Sequence, residues 1–188
     1  MPLRIIGGRL RGKKLHSVPG VLTRPTASRV RESVFNILAF DVKELRVLDL
    51  FAGTGVLGLE ALSRGAASAV FVDYHRLPLS VIKKNISSCG LDNVSRAVRF
   101  DLRRKIHWAS IRENDFQLVF MDPPYNRGFV NSTLSRLHAG NLLENGAIVM
   151  AEHSPLEAIM EGDAPFVLKD QRKYGKTLVS FLRYTVLS

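Results

Sequence analysis

Cysteine is nearly absent from this chain: Cys89 stands alone among 188 residues. That excludes an intrachain disulfide framework and the usual cysteine-based zinc site. Long apolar runs are missing too. No stretch approaches the roughly 18 consecutive apolar residues of a membrane-spanning helix, and no apolar segment of secretory type follows the basic start. A soluble cytoplasmic protein without a membrane partner is the expectation. The third absence is local. Residues 1–31 contain no Asp or Glu, against eight cations: Arg4, Arg9, Arg11, Lys13, Lys14, Arg24, Arg29 and Arg31.

What is present is ordinary in amount. A hydrophobic fraction of 46% and a charged fraction of 23% match globular averages. A chain of this length buries roughly 70% of its unfolded surface and needs no structural metal to stay folded. The net charge of +10 is concentrated in the first 31 residues, leaving the remainder nearly neutral. A basic arm on a neutral body is an electrostatic footprint for a polyanion, because each phosphate it neutralises releases condensed counterions. A solvated surface that aids solubility is the competing reading. Membrane-surface binding fits less well, since Gly7, Gly8, Gly12, Pro19 and Gly20 interrupt any amphipathic helix there.

The glycine spacing of residues 1–25 predicts short extended pieces around turns, in hairpin fashion. From Pro25 a helix is expected, with Val30, Val34, Ile37 and Leu38 on one face and Arg29, Glu32 and Asn36 on the other. Strand-length apolar runs follow at 46–51, 69–73, 95–100, 116–121 and 146–151, alternating with helical patterns at 56–64, 77–90, 102–110 and 129–138. This alternation predicts a parallel sheet covered by helices. Pro78 suits the first turn of its helix and Gly90 the position just past its end. Two extended runs, Phe166–Lys169 and Thr177–Val186, then flank a turn at Tyr174-Gly175 and predict a closing antiparallel hairpin. The expected fold class is therefore α/β: a doubly wound, mostly parallel, seven-stranded Rossmann-like sheet with a C-terminal antiparallel hairpin. A small basic hairpin and helix, residues 1–39, precede a main domain of residues 40–188.

Two loops carry chemistry. The first follows the run Val47-Leu48-Asp49-Leu50. Gly53, Gly55 and Gly58 satisfy G-x-G-x-x-G, and Asp73 ends the next strand, where a carboxylate can accept two ribose hydroxyls. A nicotinamide dehydrogenase would share these features. Asp49 separates the readings, because a carboxylate beside a pyrophosphate places like charges together. It suits a ligand with cationic centres and no phosphate, such as S-adenosylmethionine.

The second loop is Asp122-Pro123-Pro124-Tyr125, directly after the run Phe116–Met121. Consecutive prolines fix φ and remove two backbone donors, leaving a rigid extended segment with free carbonyls. A carboxylate, a carbonyl and an aromatic ring are then expected at the carboxyl edge of the sheet, where ligands bind in such folds. An exocyclic base amine is a poor nucleophile because its lone pair is delocalised. Hydrogen bonds to Asp122 and to the Pro123 carbonyl would bias it towards tetrahedral geometry while Tyr125 stacks on the base. No covalent nucleophile is needed, and Cys89, late in its helix, is expected to be an inert thiol. His75, His107 and His153 receive no role, and no metal site is expected.

The pairing of VLDLFAGTG with DPPY resembles the class I S-adenosylmethionine-dependent amino methyltransferases. Within that class, the head RIIGGRLRGKKL, the segment TRPTASRVRESVFNIL and the tail YGKTLVSF resemble the RsmD-type 16S ribosomal RNA guanine-N2 methyltransferases, almost end to end. The resemblance implies that Asp49 and the loop Phe51, Ala52, Gly53, Thr54 and Gly55 hold the methionine part of the cofactor, Asp73 the ribose, and that Asp101 lies near the adenine amine. It implies that Asp122, Pro123, Pro124 and Tyr125 grip the target base, and that Arg24, Thr26 and Arg29 lie in a segment folding over cofactor and RNA. Arg4, Arg9, Arg11, Lys13 and Lys14 would contact the RNA backbone. Many relatives carry Glu where this chain has Asp73. The implied reaction is methylation of a guanine N2 in ribosomal RNA or the small ribosomal subunit, by a protein expected to be monomeric. Adenine N6 or a protein glutamine as target, and a non-catalytic RNA-binding assembly factor on the same scaffold, are the alternatives.

Overall fold

The computed structural model describes residues 2–20, 25–38, 42–102, 111, 115–159 and 165–186, with only the backbone of 25–27. Its elements follow the alternation of apolar runs and amphipathic stretches. They are α1 (Pro25–Leu38), β1 (Arg46–Leu50), α2 (Val56–Ser63), β2 (Ser68–Asp73), α3 (Arg76–Cys89), β3 (Ser95–Arg99), β4 (Phe116–Met121), α4 (Phe129–Ala139), β5 (Leu143–His153), β6 (Phe166–Tyr174) and β7 (Thr177–Tyr184). Among the described residues seven strands form one mixed, mostly parallel sheet in the order β3-β2-β1-β4-β5-β7-β6, the fold class expected. The chain divides into two compact units, residues 1–100 and 101–188. The helix expected at 102–110 lies outside the described residues from 103 onward. No helix among the described residues is long and apolar enough to cross a membrane.

In the first unit β1 pairs in parallel with β2, Leu48 opposite Val70, and β2 with β3. Val47, Leu48 and Leu50 are buried, as are Val70, Phe71 and Val72; near-continuous apolar runs are what a strand covered on both faces requires. Helix α3 ends at Gly90 in the left-handed conformation, φ 66°, a stop that a residue without Cβ adopts at no steric cost. Helix α1 starts on Pro25, whose missing N–H is unneeded in the first turn. Val30, Val34 and Leu38 are buried as expected, whereas Ile37 is exposed and Phe35 takes a place in the core.

The N-terminal hairpin is less regular than its glycine spacing predicts. One antiparallel bridge, Arg4 to Lys14, survives, and a short 3-10 turn at Gly8–Leu10 replaces the strand ends. Docking onto α2 explains the difference. The Ile6 N–H donates to Glu60 Oε2 at 2.8 Å, the Leu10 N–H to Ser63 Oγ at 2.9 Å, and Ser63 Oγ to the Gly7 carbonyl at 2.6 Å. Gly8 sits at φ +71°, and a Cβ there would collide with the Ser63 carbonyl. Some backbone groups of the arm, at Ile6, Gly7 and Leu10, thus find their partners on α2, while others, such as Ile5 with Lys13 and Leu15 with Leu3, still pair within the arm.

In the second unit β4 runs parallel to β5, β5 antiparallel to β7, and β7 antiparallel to β6. Tyr174 pairs with Thr177 across the tight turn Gly175-Lys176. The hairpin is longer than expected because β6 continues through Lys169–Lys173, a polar stretch that sits on a wet edge, where charged side chains are tolerated. Strand β5 likewise runs on to Glu152 and His153. His153 is buried and satisfied, its ring nitrogens 3.0 Å from the Ser154 carbonyl and 2.8 Å from Ser180 Oγ. His107 lies outside the described residues.

Candidate active site

The glycine loop leaves β1 through Phe51, which adopts φ 58°, followed by Gly53 at 56° and Gly55 at 75°. A left-handed aromatic residue is an outlier of the kind found where a loop is shaped for a ligand. Asp49, 2% exposed within β1, turns its Oδ2 to the Gly58 N–H at 3.0 Å in the first turn of α2. A Cβ on Gly58 would collide with the Phe71 ring and stand 3.2 Å from Asp49 Oδ2. The third glycine therefore lets α2 close onto β1 and β2.

Asp73 ends β2 and is buried, its Oδ2 accepting from the Gly53 N–H and its Oδ1 from the His75 N–H, both at 2.9 Å. Asp49 within β1 and Asp73 at the end of β2 thus hold the glycine motif at Gly58 and at Gly53. Asn85, fully buried on α3, donates to the Thr54 carbonyl at 3.0 Å and also holds both backbone groups of His16. One amide ties the end of the basic arm to the glycine loop. Ala52 completes the turn, its N–H bonding the Val72 carbonyl at 3.0 Å. Asp101 is half-buried just past β3.

In the second unit Met121 ends β4 in the core, and Asp122 then emerges with solvent-accessible surface, Pro123 buried, Pro124 exposed and Tyr125 between. The Tyr125 hydroxyl donates to Glu152 Oε1 at 2.6 Å and lies 3.2 Å from Thr177 Oγ1. Its acidity is pushed well below the usual, first by burial and then by Glu152, so it remains a neutral donor. Asp122 is exposed as a residue, while its carboxyl group is desolvated by the protein around it. That desolvation, with the Glu152 charge second, pushes its carboxyl up to about 7. The loop is closed at Asn126, φ 57°, whose N–H donates to Glu157 Oε2 at 3.0 Å.

Glu152, Thr177 and Glu157 are functional-site neighbours that the sequence motifs do not single out. Glu152 has a readable signal: like Asp49 and Asp122, it is an acid at the end of an apolar strand run. Thr177 and Glu157 carry none.

Of the cationic residues, Arg4, Arg9, Arg11, Lys13, Lys14 and Arg29 are exposed. Arg24 and the Thr26 side chain lie outside what is described. Arg31 corrects the charge count of the exposed arm. It is 5% exposed and donates to the Arg4 carbonyl at 2.8 Å, and burial lowers its pKa against the opposing pull of Glu60. Cys89 is half-buried, and burial pushes its thiol up, away from the reactive thiolate.

A mostly parallel sheet of this order, with an acid-clamped glycine loop after its first strand and Asp-Pro-Pro-Tyr after its fourth, defines a methyltransferase. More particularly, the chain belongs to the family described as "Conserved hypothetical protein 95", whose model matches residues 3–183. It is 35% identical over 181 residues to the "Putative rRNA methyltransferase YlbH" of Bacillus subtilis, covering 96% of this chain and 98% of that protein. It is 37% identical over 150 residues to "Ribosomal RNA small subunit methyltransferase D" of Escherichia coli, covering 80% of this chain and 74% of that one. Among solved structures it resembles "Putative methyltransferase yhhF from Escherichia coli", with 32% identity, full coverage of both chains and a TM-score of 0.84.

Proposed function

We propose that this methyltransferase moves a methyl group from S-adenosylmethionine to the exocyclic N2 amine of a guanine in small-subunit ribosomal RNA. The observation that carries the reading is the loop after β4, where a water-accessible carboxylate stands beside a tyrosine whose hydroxyl is held by Glu152 and Thr177. The substrate class is drawn from the name of the Escherichia coli relative, which is that of a small-subunit ribosomal RNA methyltransferase.

The glycine-loop side fits the cofactor by its donor set. Residues 49–58 carry one carboxylate and no cation, which suits a sulfonium and an ammonium and not a pyrophosphate. Among the described residues, a Cβ on Gly53 would meet only the Phe51 carbonyl, at 3.9 Å, which leaves space at that face of the loop. Asp49 and Phe51–Gly55 would hold the methionine part, Asp73 the ribose and Asp101 the adenine amine. Both Asp73 oxygens already accept one backbone N–H, and each retains a lone pair for a ribose hydroxyl. When bound, S-adenosylmethionine would supply an electrophilic methyl carbon, its sulfonium sulfur leaving with the C–S bonding pair as a neutral thioether.

Asp122 and the Pro123 carbonyl would accept hydrogen bonds from the guanine amine, turning its lone pair out of conjugation and towards the methyl. Tyr125 stacks on the base, an interaction worth about 1 to 3 kcal/mol. As the nitrogen gains its methyl it carries one proton too many. A carboxylate with its pKa pushed up to about 7 is matched to take that proton near neutral pH. Positioning supplies most of the rate. Residues 1–39 serve as the RNA-binding arm and helix, with Arg4, Arg9, Arg11, Lys13, Lys14, Arg24, Thr26 and Arg29 on the RNA, and residues 40–188 carry the transfer. Mapping modified nucleotides in ribosomal RNA from cells with the protein, without it, and with Asp122→Ala tests the proposal. One N2-methylguanine should vanish in the latter two; loss of a methyl from adenine or from a protein glutamine would overturn it.

A further inference from the structure

We propose a second RNA contact in the unit of residues 101–188, centred on the turn after β5: Leu156 acts as an apolar wedge in the RNA base stack, and Arg127 and Lys176 hold the flanking phosphates. The proposal rests on the RNA reading given above and extends it to residues far in sequence from the basic arm.

Leu156 is 86% exposed, the most exposed large apolar side chain among the described residues; Leu77 follows at 50%. Single exposed apolar residues are common on protein surfaces. This one differs in how it is held. The Leu156 N–H bonds Ser154 Oγ at 3.2 Å, and the Glu157 N–H bonds the Ser154 carbonyl at 3.0 Å, with Pro155 between. Glu157 then accepts the Asn126 N–H, and the Asn131 amide donates to the Ala158 carbonyl at 2.9 Å. The turn and the Asp122–Asn126 loop are therefore one braced piece, and an apolar side chain is offered to water just past the end of β5 on a hydrogen-bonded backbone.

The cations are placed by the same network. Arg127 follows Asn126, and Lys176 precedes Thr177, which touches the Tyr125 hydroxyl. Both are exposed, and among the described residues neither has an ion-pair partner. An apolar side chain braced to the loop that would grip a base, with one unpaired cation on that loop and another beside the residue that meets its tyrosine, is complementary to a nucleic acid strand. A base buried in a folded RNA must leave its stack to reach a pocket, and proteins that open a base step insert an apolar side chain such as Leu into the gap.

Small ribosomal subunits from cells lacking this protein serve as substrate, and protein-free 16S RNA as the binding probe. Leu156→Ala should lower kcat by about tenfold while KM stays within a few-fold, because unstacking is needed after binding; Leu156→Phe should retain activity. Arg127→Ala with Lys176→Ala should raise KM, leave kcat in place and reduce the magnitude of the log-log salt slope of RNA binding by roughly 0.7 to 0.9 per lost contact. A parent-like kcat for Leu156→Ala overturns the wedge, also when KM rises, since that pattern marks an ordinary contact with RNA or with a subunit protein. An unchanged salt slope for the double variant overturns the phosphate contacts. No methylation of the subunits by the unaltered protein would instead sink the reading on which the proposal rests.

Discussion

Asp122 is the residue on which pH dependence should turn. Its carboxyl is raised to about 7 from an ordinary value near 4, by desolvation first and by Glu152 second. In the proposed reaction the ionised form would accept the amine hydrogen bonds, so activity should fall as pH drops through 7. Glu152→Gln removes the second cause and leaves the first. The acidic limb of the kcat profile should move to lower pH without reaching 4, while Tyr125 keeps an amide oxygen as its acceptor. The same shift carries a stability cost with a definite sign. A carboxyl whose pKa is higher folded than unfolded stabilises the protein in acid and loses that contribution as pH rises from about 4 to about 7. Asp122→Asn should therefore raise the melting temperature at pH 8 and change it little at pH 4, as calorimetry at the two values would show.

Among the elements, α2 does two jobs through two neighbouring positions. Gly58 sets how closely the helix approaches β1 and β2. Gly58→Ala should cost about 1 to 3 kcal/mol through overpacking against Phe71, read by urea unfolding, and should weaken S-adenosylmethionine binding because the loop clamped by Asp49 must shift. Glu60 anchors the arm: fully buried, it accepts from the Ile6 N–H and from Arg64 Nε, the latter at 2.9 Å. Glu60→Ala leaves the Ile6 donor and the buried Arg31 uncompensated, a loss of about 3 kcal/mol or more by analogy with other broken buried pairs. Limited proteolysis should then cut within residues 2–20, which the parent protects.

For the whole molecule the decisive quantity is where the charge lies. The net charge is +10, and Arg4, Arg9, Arg11, Lys13 and Lys14 are all exposed on an arm docked to α2 and α3. Neutralising Arg9, Arg11, Lys13 and Lys14 together should weaken RNA binding and flatten its salt dependence by roughly 0.7 to 0.9 in log-log slope per lost phosphate contact. Calorimetric affinity for S-adenosylmethionine should stay the same. If the arm serves only solubility, the slope will not change.

Local physics is legible in the amino-acid sequence alone. Apolar periodicity marks β1 to β5 and α1 to α4, because a strand in a helix-covered sheet and an amphipathic helix each impose their own spacing. Glycine and proline mark the two loops, since their restrictions act within one or two residues. Asp49, Asp73 and Asp122 stand out in this way, each at or near a strand end. The sequence does not say what surrounds them. Glu152 and Thr177 reach Tyr125 from 27 and 52 residues downstream, through the β5–β7 register that sets Glu152 opposite Val179. Arg31 reads as one more cation of the arm and is instead buried near Glu60. Burial, pKa and hydrogen-bond partners depend on which distant segments meet, so only the tertiary structure decided them.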